Sequence, residues 1–120
     1  MEDFNFMANI KDIDIQQLEE WKKEYKHLFK TTLTDGTVII WRRLKRSEYK
    51  ELVKKFDAID DQDDRIWGRE EDLARLCVLY PSKEELEEIL EYQAGVASVL
   101  SDNIYANSGF TVKDRAEAVK

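Results

Sequence analysis

Few residues in this chain have side chains that could run a reaction, and they do not sit at the spacings a reaction needs. His27 is the sole histidine and Cys77 the sole cysteine, separated by fifty positions. A thiol–imidazole nucleophile or a zinc site needs such groups in partnership. His27 reads instead as a helix-end residue, where a cation is favoured by exposed carbonyls. Cys77, between Leu76 and Val78, reads as a small buried hydrophobe. The acidic run Asp57-Ala58-Ile59-Asp60-Asp61-Gln62-Asp63-Asp64 invites a calcium loop. An EF-hand, however, needs a glycine at the sixth position, and a loop begun at Asp60 puts Arg65 there. The run reads as a solvated loop leading into the next helix. Glu84/Glu85 and Glu87/Glu88 face away from Leu86 and Ile89, whereas acid–base catalysis needs carboxylates in environments that split their pKa values. The glycines Gly36, Gly68, Gly95 and Gly109 are scattered and form no phosphate loop. The sequence gives no catalytic residue, no cofactor and no metal, and the expectation is a protein that is not an enzyme.

The elements that carry these residues follow from apolar periodicity. The 120 residues suffice for one domain, residues 1–120, with an N-terminal arm at 1–11 and a C-terminal tail at 111–120. A charged fraction of 38% with only 4 Gly and 1 Pro suits long amphipathic helices. A first helix runs from Asp12 or Asp14 to about Leu28, with Leu18, Trp21, Tyr25 and Leu28 on one stripe. Phe29–Leu33 and Thr37–Arg43 read as strands joined by a two-residue type I′ turn at Asp35-Gly36. Ser47 caps a second helix carrying Tyr49, Leu52, Val53 and Phe56. A third runs from around Arg69 to Tyr80, burying Leu73, Leu76, Cys77 and Tyr80, and Pro81 ends it. Ser82 and Glu85 form a capping box for a fourth, which buries Leu86, Ile89 and Leu90. Gly95 breaks that helix, a further stripe follows at Val96, Val99, Leu100 and Ile104, and Ser108-Gly109 closes it. The fold class is α+β and predominantly helical, with four to five amphipathic helices and one β-hairpin.

The charge balance bounds the partners. With 26 acidic against 19 basic residues the net charge is −7, so nucleic acid and anionic lipid are disfavoured. No apolar run reaches the ~20 residues of a membrane span, and Glu2 and Asp3 do not suit a signal peptide, so an intracellular protein is expected. An isolated hairpin is only marginally stable and must gain helices or further strands. Residues with apolar side chains outside the stripes are the candidates for partner binding. Phe4, Phe6 and Met7 lie in the arm and must find burial in the core, another copy or a partner. Trp67, beside Gly68 in a loop-like segment, is read as a ring closing the core, with an interface anchor as the alternative. Phe110 completes the candidate set.

Three segments carry a resemblance. They are Trp41-Arg42-Arg43-Leu44-Lys45-Arg46-Ser47-Glu48-Tyr49, the apolar helix from Leu73 to Pro81 ending Cys77-Val78-Leu79-Tyr80-Pro81, and the close from Ala94-Gly95-Val96 to Ser108-Gly109-Phe110. In order and spacing they resemble the tail assembly chaperones and baseplate-hub assembly proteins of large contractile-tailed bacteriophages, over roughly residues 38–110. The resemblance implies a non-enzymatic chaperone that binds the tape-measure protein, tail-tube subunits or hub during morphogenesis, in the host cytoplasm. A structural part of the virion, in tail or baseplate, is the alternative. Self-association through strand edges is compatible with both.

Overall fold

The computed structural model describes residues 13–110 together with Ala116, Ala118 and Val119. Their order is α1 (Ile15–Tyr25), β1 (Leu28–Thr32), β2 (Val38–Arg42), α2 (Arg46–Asp57), α3 (Gln62–Cys77), β3 (Val78–Tyr80), α4 (Lys83–Tyr92) and α5 (Val96–Asn107). The class is α+β and predominantly helical: among the described residues there are five helices and a three-stranded antiparallel sheet in the order β1-β2-β3.

β2 is the axis of the molecule. All five of its residues are buried, and its two faces serve two different cores. Val38 and Ile40 pack with Ile13, Leu18, Trp21, Leu28 and Tyr80, so α1 covers this face. Ile39 and Trp41 point the other way, into the larger core formed with Leu52, Phe56, Leu73, Cys77, Leu86, Leu100 and Ile104 from α2–α5. This alternation is what the pleat of a central strand demands. Trp41 stacks on its cross-strand partner Phe29, with centroids 4.7 Å apart. Its indole N–H donates to Thr31 Oγ1 (2.9 Å), and the Thr31 hydroxyl donates to Asn103 Oδ1 (2.8 Å). A buried polar handle is thereby satisfied and β1 is tied to α5.

The structure corrects several boundaries. α1 ends at Tyr25, short of Leu28, because Lys26 turns out of the helix at φ 63°, ψ −49° with His27 N donating to Tyr25 O (2.6 Å). His27 is thus an exposed residue of the α1–β1 link and lies beyond the helix. The hairpin turn is longer than two residues. Gly36 N donates to Leu33 O and Leu33 N to Thr37 O, and Gly36 alone takes positive φ (91°), while Thr37 N is held by Asp35 Oδ1. A type I′ turn would need positive φ at Asp35 too.

Lys45, and not Ser47, stands at the N-cap of α2, where the Glu48 carboxylate accepts from Lys45 N (2.9 Å). α3 begins at Gln62, seven residues before the expected Arg69. Asp61 caps it by accepting from Asp64 N (2.9 Å), and Asp63 and Asp64 lie in its first turn, where the helix dipole favours anions. Half of the acidic run is therefore helix. At the other end α3 stops at Cys77, and Val78–Tyr80 pairs with β2 as a strand, Trp41 opposite Val78 and Ile40 opposite Tyr80 across a bulge. Tyr80 precedes proline, which biases it away from the helical region. Leu76 and Val99, expected inside, are 36% and 45% exposed. The Ser82–Glu85 capping box forms as expected: Glu85 N donates to Ser82 Oγ and Ser82 N to Glu85 Oε1.

One ion pair fastens the sheet to the helices. Arg42, at the end of β2, is 7% exposed. Its guanidinium donates to both oxygens of Glu48 (2.6 and 2.8 Å), to Arg43 O (3.0 Å) and to Leu76 O (3.1 Å), and it lies 5.3 Å from the Tyr25 ring centroid. Burial pushes the Glu48 carboxyl up, but the hydrogen bonds from Arg42 and Lys45 N outweigh it and hold its pKa below the usual glutamate range. A folded value below the unfolded one stabilises the fold above pH ~4.5, and this is lost as pH falls through the folded value. Glu48→Gln should therefore cost about 3 kcal/mol at pH 7, since it strands a buried charge. The gap to wild type in urea midpoints should begin to narrow as pH falls below ~4.5 and close once it has passed the folded value. Asp35, Asp72 and Glu87 also have lowered values, so the variant keeps part of the acid sensitivity. A gap that stays constant down to pH ~3 would show that the pair contributes nothing through its charge.

α2 and α3 approach closely at Gly68, where a Cβ would lie 2.6 Å from Phe56 Cε1, inside contact distance of a ring that is 5% exposed. Alanine is the better helix former by about 1 kcal/mol, yet overpacking a core typically costs about 1–3 kcal/mol. Gly68→Ala should lower the urea midpoint, and Phe56→Leu should cost less in the Gly68→Ala background than alone. Additive effects would mean that the ring moves aside freely.

Candidate partner-binding surface

Phe110 is placed by the way α5 ends. Ser108 is its C-cap and Gly109 follows at φ 97°, so Phe110 N donates back to Tyr105 O (3.0 Å). This closure turns the residue after the glycine onto the last turn of the helix. The Phe110 ring meets Tyr105 at 5.1 Å and Tyr49 of α2 at 4.9 Å, yet it remains 46% exposed. Leu44 N donates to Ser108 Oγ (3.0 Å) and Arg43 Nε to Asn107 O (2.9 Å), which pins this helix end to the β2–α2 link.

The three rings line one side of an open groove of about 460 Å³. Ile66, Arg69 and Glu70 of α3 and Ser101 and Asp102 of α5 complete its walls. Ile66 is 39% exposed, so an aliphatic and an aromatic side chain both face solvent along the groove. Burial raises the Tyr105 phenol above its ordinary value, with Arg69 pulling the other way, so the ring stays neutral. The guanidinium of Arg46 lies 5.6 Å from the centroid of Tyr49. Two tyrosine rings with polar tips and the Phe110 ring, flanked by the cations Arg46 and Arg69 and the carboxylates Glu70 and Asp102, can hold an apolar segment and orient its polar edge.

Of the residues singled out from sequence, Phe110 lies in this groove. Trp67 is not the core ring it was expected to be. It stands in the second turn of α3, 57% exposed, on the surface next to Ile66 but outside the groove lining. Phe4, Phe6 and Met7 lie outside the described residues. Tyr49, Ile66 and Tyr105 were missed. In the sequence Tyr49 reads only as a core stripe residue, and the aspartates at the start of α3 read as a loop, which hides Ile66. A larger groove of about 640 Å³ runs between α2 and α3 over Leu52 and Leu76. Its rim is cross-linked by Lys55 to Asp72 and by Arg75 to Asp72, and Arg75 also grips Glu87 of α4, so its charges serve helix packing.

Groups capable of chemistry are differently placed. Cys77 is wholly buried, and burial pushes its thiol up to about 12, more than the Arg42 charge pulls it down. Among the described residues no three of His, Cys, Asp and Glu gather as a metal ion would require. No helix among them is long and apolar enough to cross a membrane.

No protein-family model matches this chain, and no curated protein sequence matches it. Among solved structures it is similar to an uncharacterised protein, rbstp2171, from Bacillus stearothermophilus, at 18% sequence identity and a TM-score of 0.60. The match covers 86% of this chain and 99% of that one. At such identity the likeness concerns the fold.

The placement of Cys77 has a measurable outcome. Iodoacetamide at pH ~8 should leave the native thiol unmodified and alkylate it fully in about 6 M guanidinium. Rapid native labelling would mean that the thiol is reachable and ionised, and would reopen nucleophilic chemistry.

Proposed function

We propose that this protein is a non-enzymatic assembly chaperone whose partner is an apolar segment of another protein. In the setting implied by its resemblance, that partner is the tape-measure or baseplate-hub protein of a contractile phage tail, met in the host cytoplasm during morphogenesis. The observation that carries the reading is the exposure of Phe110 and Ile66 along one groove with Tyr49 and Tyr105 beneath them. Contiguous apolar exposure of this kind marks interaction surfaces, and aromatic rings supply most of the energy at them. The surface would shield an apolar helix while the net charge of −7 keeps the complex in solution.

The experiment is co-expression with the tape-measure protein of the same tail-gene cluster, followed by measurement of its soluble, co-purifying fraction. Wild type should retain the partner, whereas Phe110→Ser with Ile66→Ser should weaken the complex about tenfold or more without loss of helical circular dichroism. Phe4→Ser with Phe6→Ser tests the arm in the same assay. A partner equally insoluble with and without this chain would sink the chaperone reading. Recovery of the chain from purified particles in fixed copy number would replace it with the virion-component alternative.

A further inference from the structure

The outer surface of α3 near its start is unpartnered and has a definite character. Trp67 is 57% and Ile66 39% exposed. On a helix the neighbours of position 67 are three and four residues away, and here those four positions are Asp63, Asp64, Glu70 and Glu71. Asp63, Asp64 and Glu71 therefore flank an exposed indole, whereas Glu70 turns to α5, where it accepts from Ser98 Oγ (2.9 Å). Asp63 and Asp64 take part in no ion pair among the described residues, and Glu71 meets Arg75 only at 3.8 Å. Arg65 gives no compensation on this surface, because its guanidinium folds back to donate to Ile59 O and Asp60 O. An indole face and surrounding carboxylates suit the same occupant, a cationic side chain with an aliphatic stem.

The chain carries the complement at its opposite end. Lys45, Arg46 and Lys50 at the start of α2 are exposed, and none is in an ion pair among the described residues. α2 and α3 run antiparallel, since Arg42 beside the start of α2 reaches Leu76 O near the end of α3, while Phe56 near the end of α2 packs on Gly68. From Asp63 to Leu76 is about 20 Å of helix. The two surfaces therefore cannot neutralise each other within one molecule, but they match between molecules placed head to tail.

We infer that the Trp67 surface docks the Lys45–Arg46–Lys50 end of a second copy of this chain. The two surfaces differ, so the contact is heterologous and propagates into a ring or an open filament instead of stopping at a symmetric dimer. Its strength rests on exposed charges and one ring, so it is sensitive to salt.

Sedimentation velocity of the full chain at about 0.02 M and about 0.5 M salt tests this. Concentration-dependent association at low salt should vanish at high salt. Trp67→Ala should weaken it about tenfold. Asp63→Lys with Asp64→Lys gives a chain basic at both ends, and Lys45→Glu with Arg46→Glu gives one acidic at both. Each should be monomeric alone, and their equimolar mixture should associate again, alternating the two. A wild type that stays monomeric at low salt up to about 0.5 mM overturns the inference. So does association unchanged by Trp67→Ala, or a mixture that stays monomeric. Where a reversal unfolds the chain by circular dichroism, Asp63→Asn/Asp64→Asn and Lys45→Gln/Arg46→Gln replace it. Each must then associate less than wild type at the same salt, and equal association overturns the proposal.

Discussion

The Arg42–Glu48 pair is the joint at which sheet and helices meet. Arg42 ends the buried central strand, and the carboxylate it holds belongs to the first turn of α2 and also accepts from Lys45 N, the backbone donor at that helix's cap. Its remaining reach goes to Leu76 O, near the point where α3 gives way to β3. One guanidinium therefore fixes how α2 leaves the sheet and where α3 rejoins it. A lysine could not do this, because the work depends on a planar fork of donors. The Nε of Arg42 is buried without an acceptor, so the joint includes one uncompensated donor. Removing either charge is expected to cost far more than the intact pair contributes.

The rest of the molecule arranges itself around this joint and its neighbour Trp41. The Trp41–Thr31–Asn103 relay ties α5 to the hairpin, and Arg43 and Leu44 N tie the end of α5 to the β2–α2 link. With α5 held at both places, the turn at Ser108–Gly109 delivers Phe110 over Tyr49 and Tyr105 with little freedom. The exposed groove thus rests on rigid elements at each of its walls. Recognition surfaces gain from such pre-organisation, because less ordering is required when a partner arrives.

Much of the architecture was legible because it is written locally. Asp14, the Ser82–Glu85 box, the break at Gly95 and the Ser108–Gly109 close are short-range signals with short-range causes, and each marks an observed boundary. What the sequence hid depends on distant partners. Val78–Tyr80 continues the apolar pattern of α3 and becomes a strand only because β2 offers it an edge. The start of α3 was hidden by charge: a run of aspartates suggests a loop until one of them is seen to cap a helix and the others to sit on its dipole. Trp67 is obscured by the same aspartates, since a tryptophan beside a glycine suggests a turn, whereas here the glycine makes room for Phe56. Of the groove, Phe110 was read from sequence, but its company was not, because Tyr49, Ile66 and Tyr105 come from three helices whose packing no periodicity specifies.

The short third strand sets where this molecule gives way. β1 meets β2 along five residue pairs, whereas β3 meets it through Ile40–Tyr80 and Trp41–Val78 with a bulge between them. Amide protons along that second seam are guarded by few bonds, so they should exchange with solvent through a small local opening, long before those of the hairpin side. Such an opening lifts Val78–Tyr80 from the sheet edge, while the Arg42–Leu76 bond holds the end of α3 and the hairpin stays paired. The molecule is thus graded in rigidity across a single strand, firm on one edge of β2 and yielding on the other.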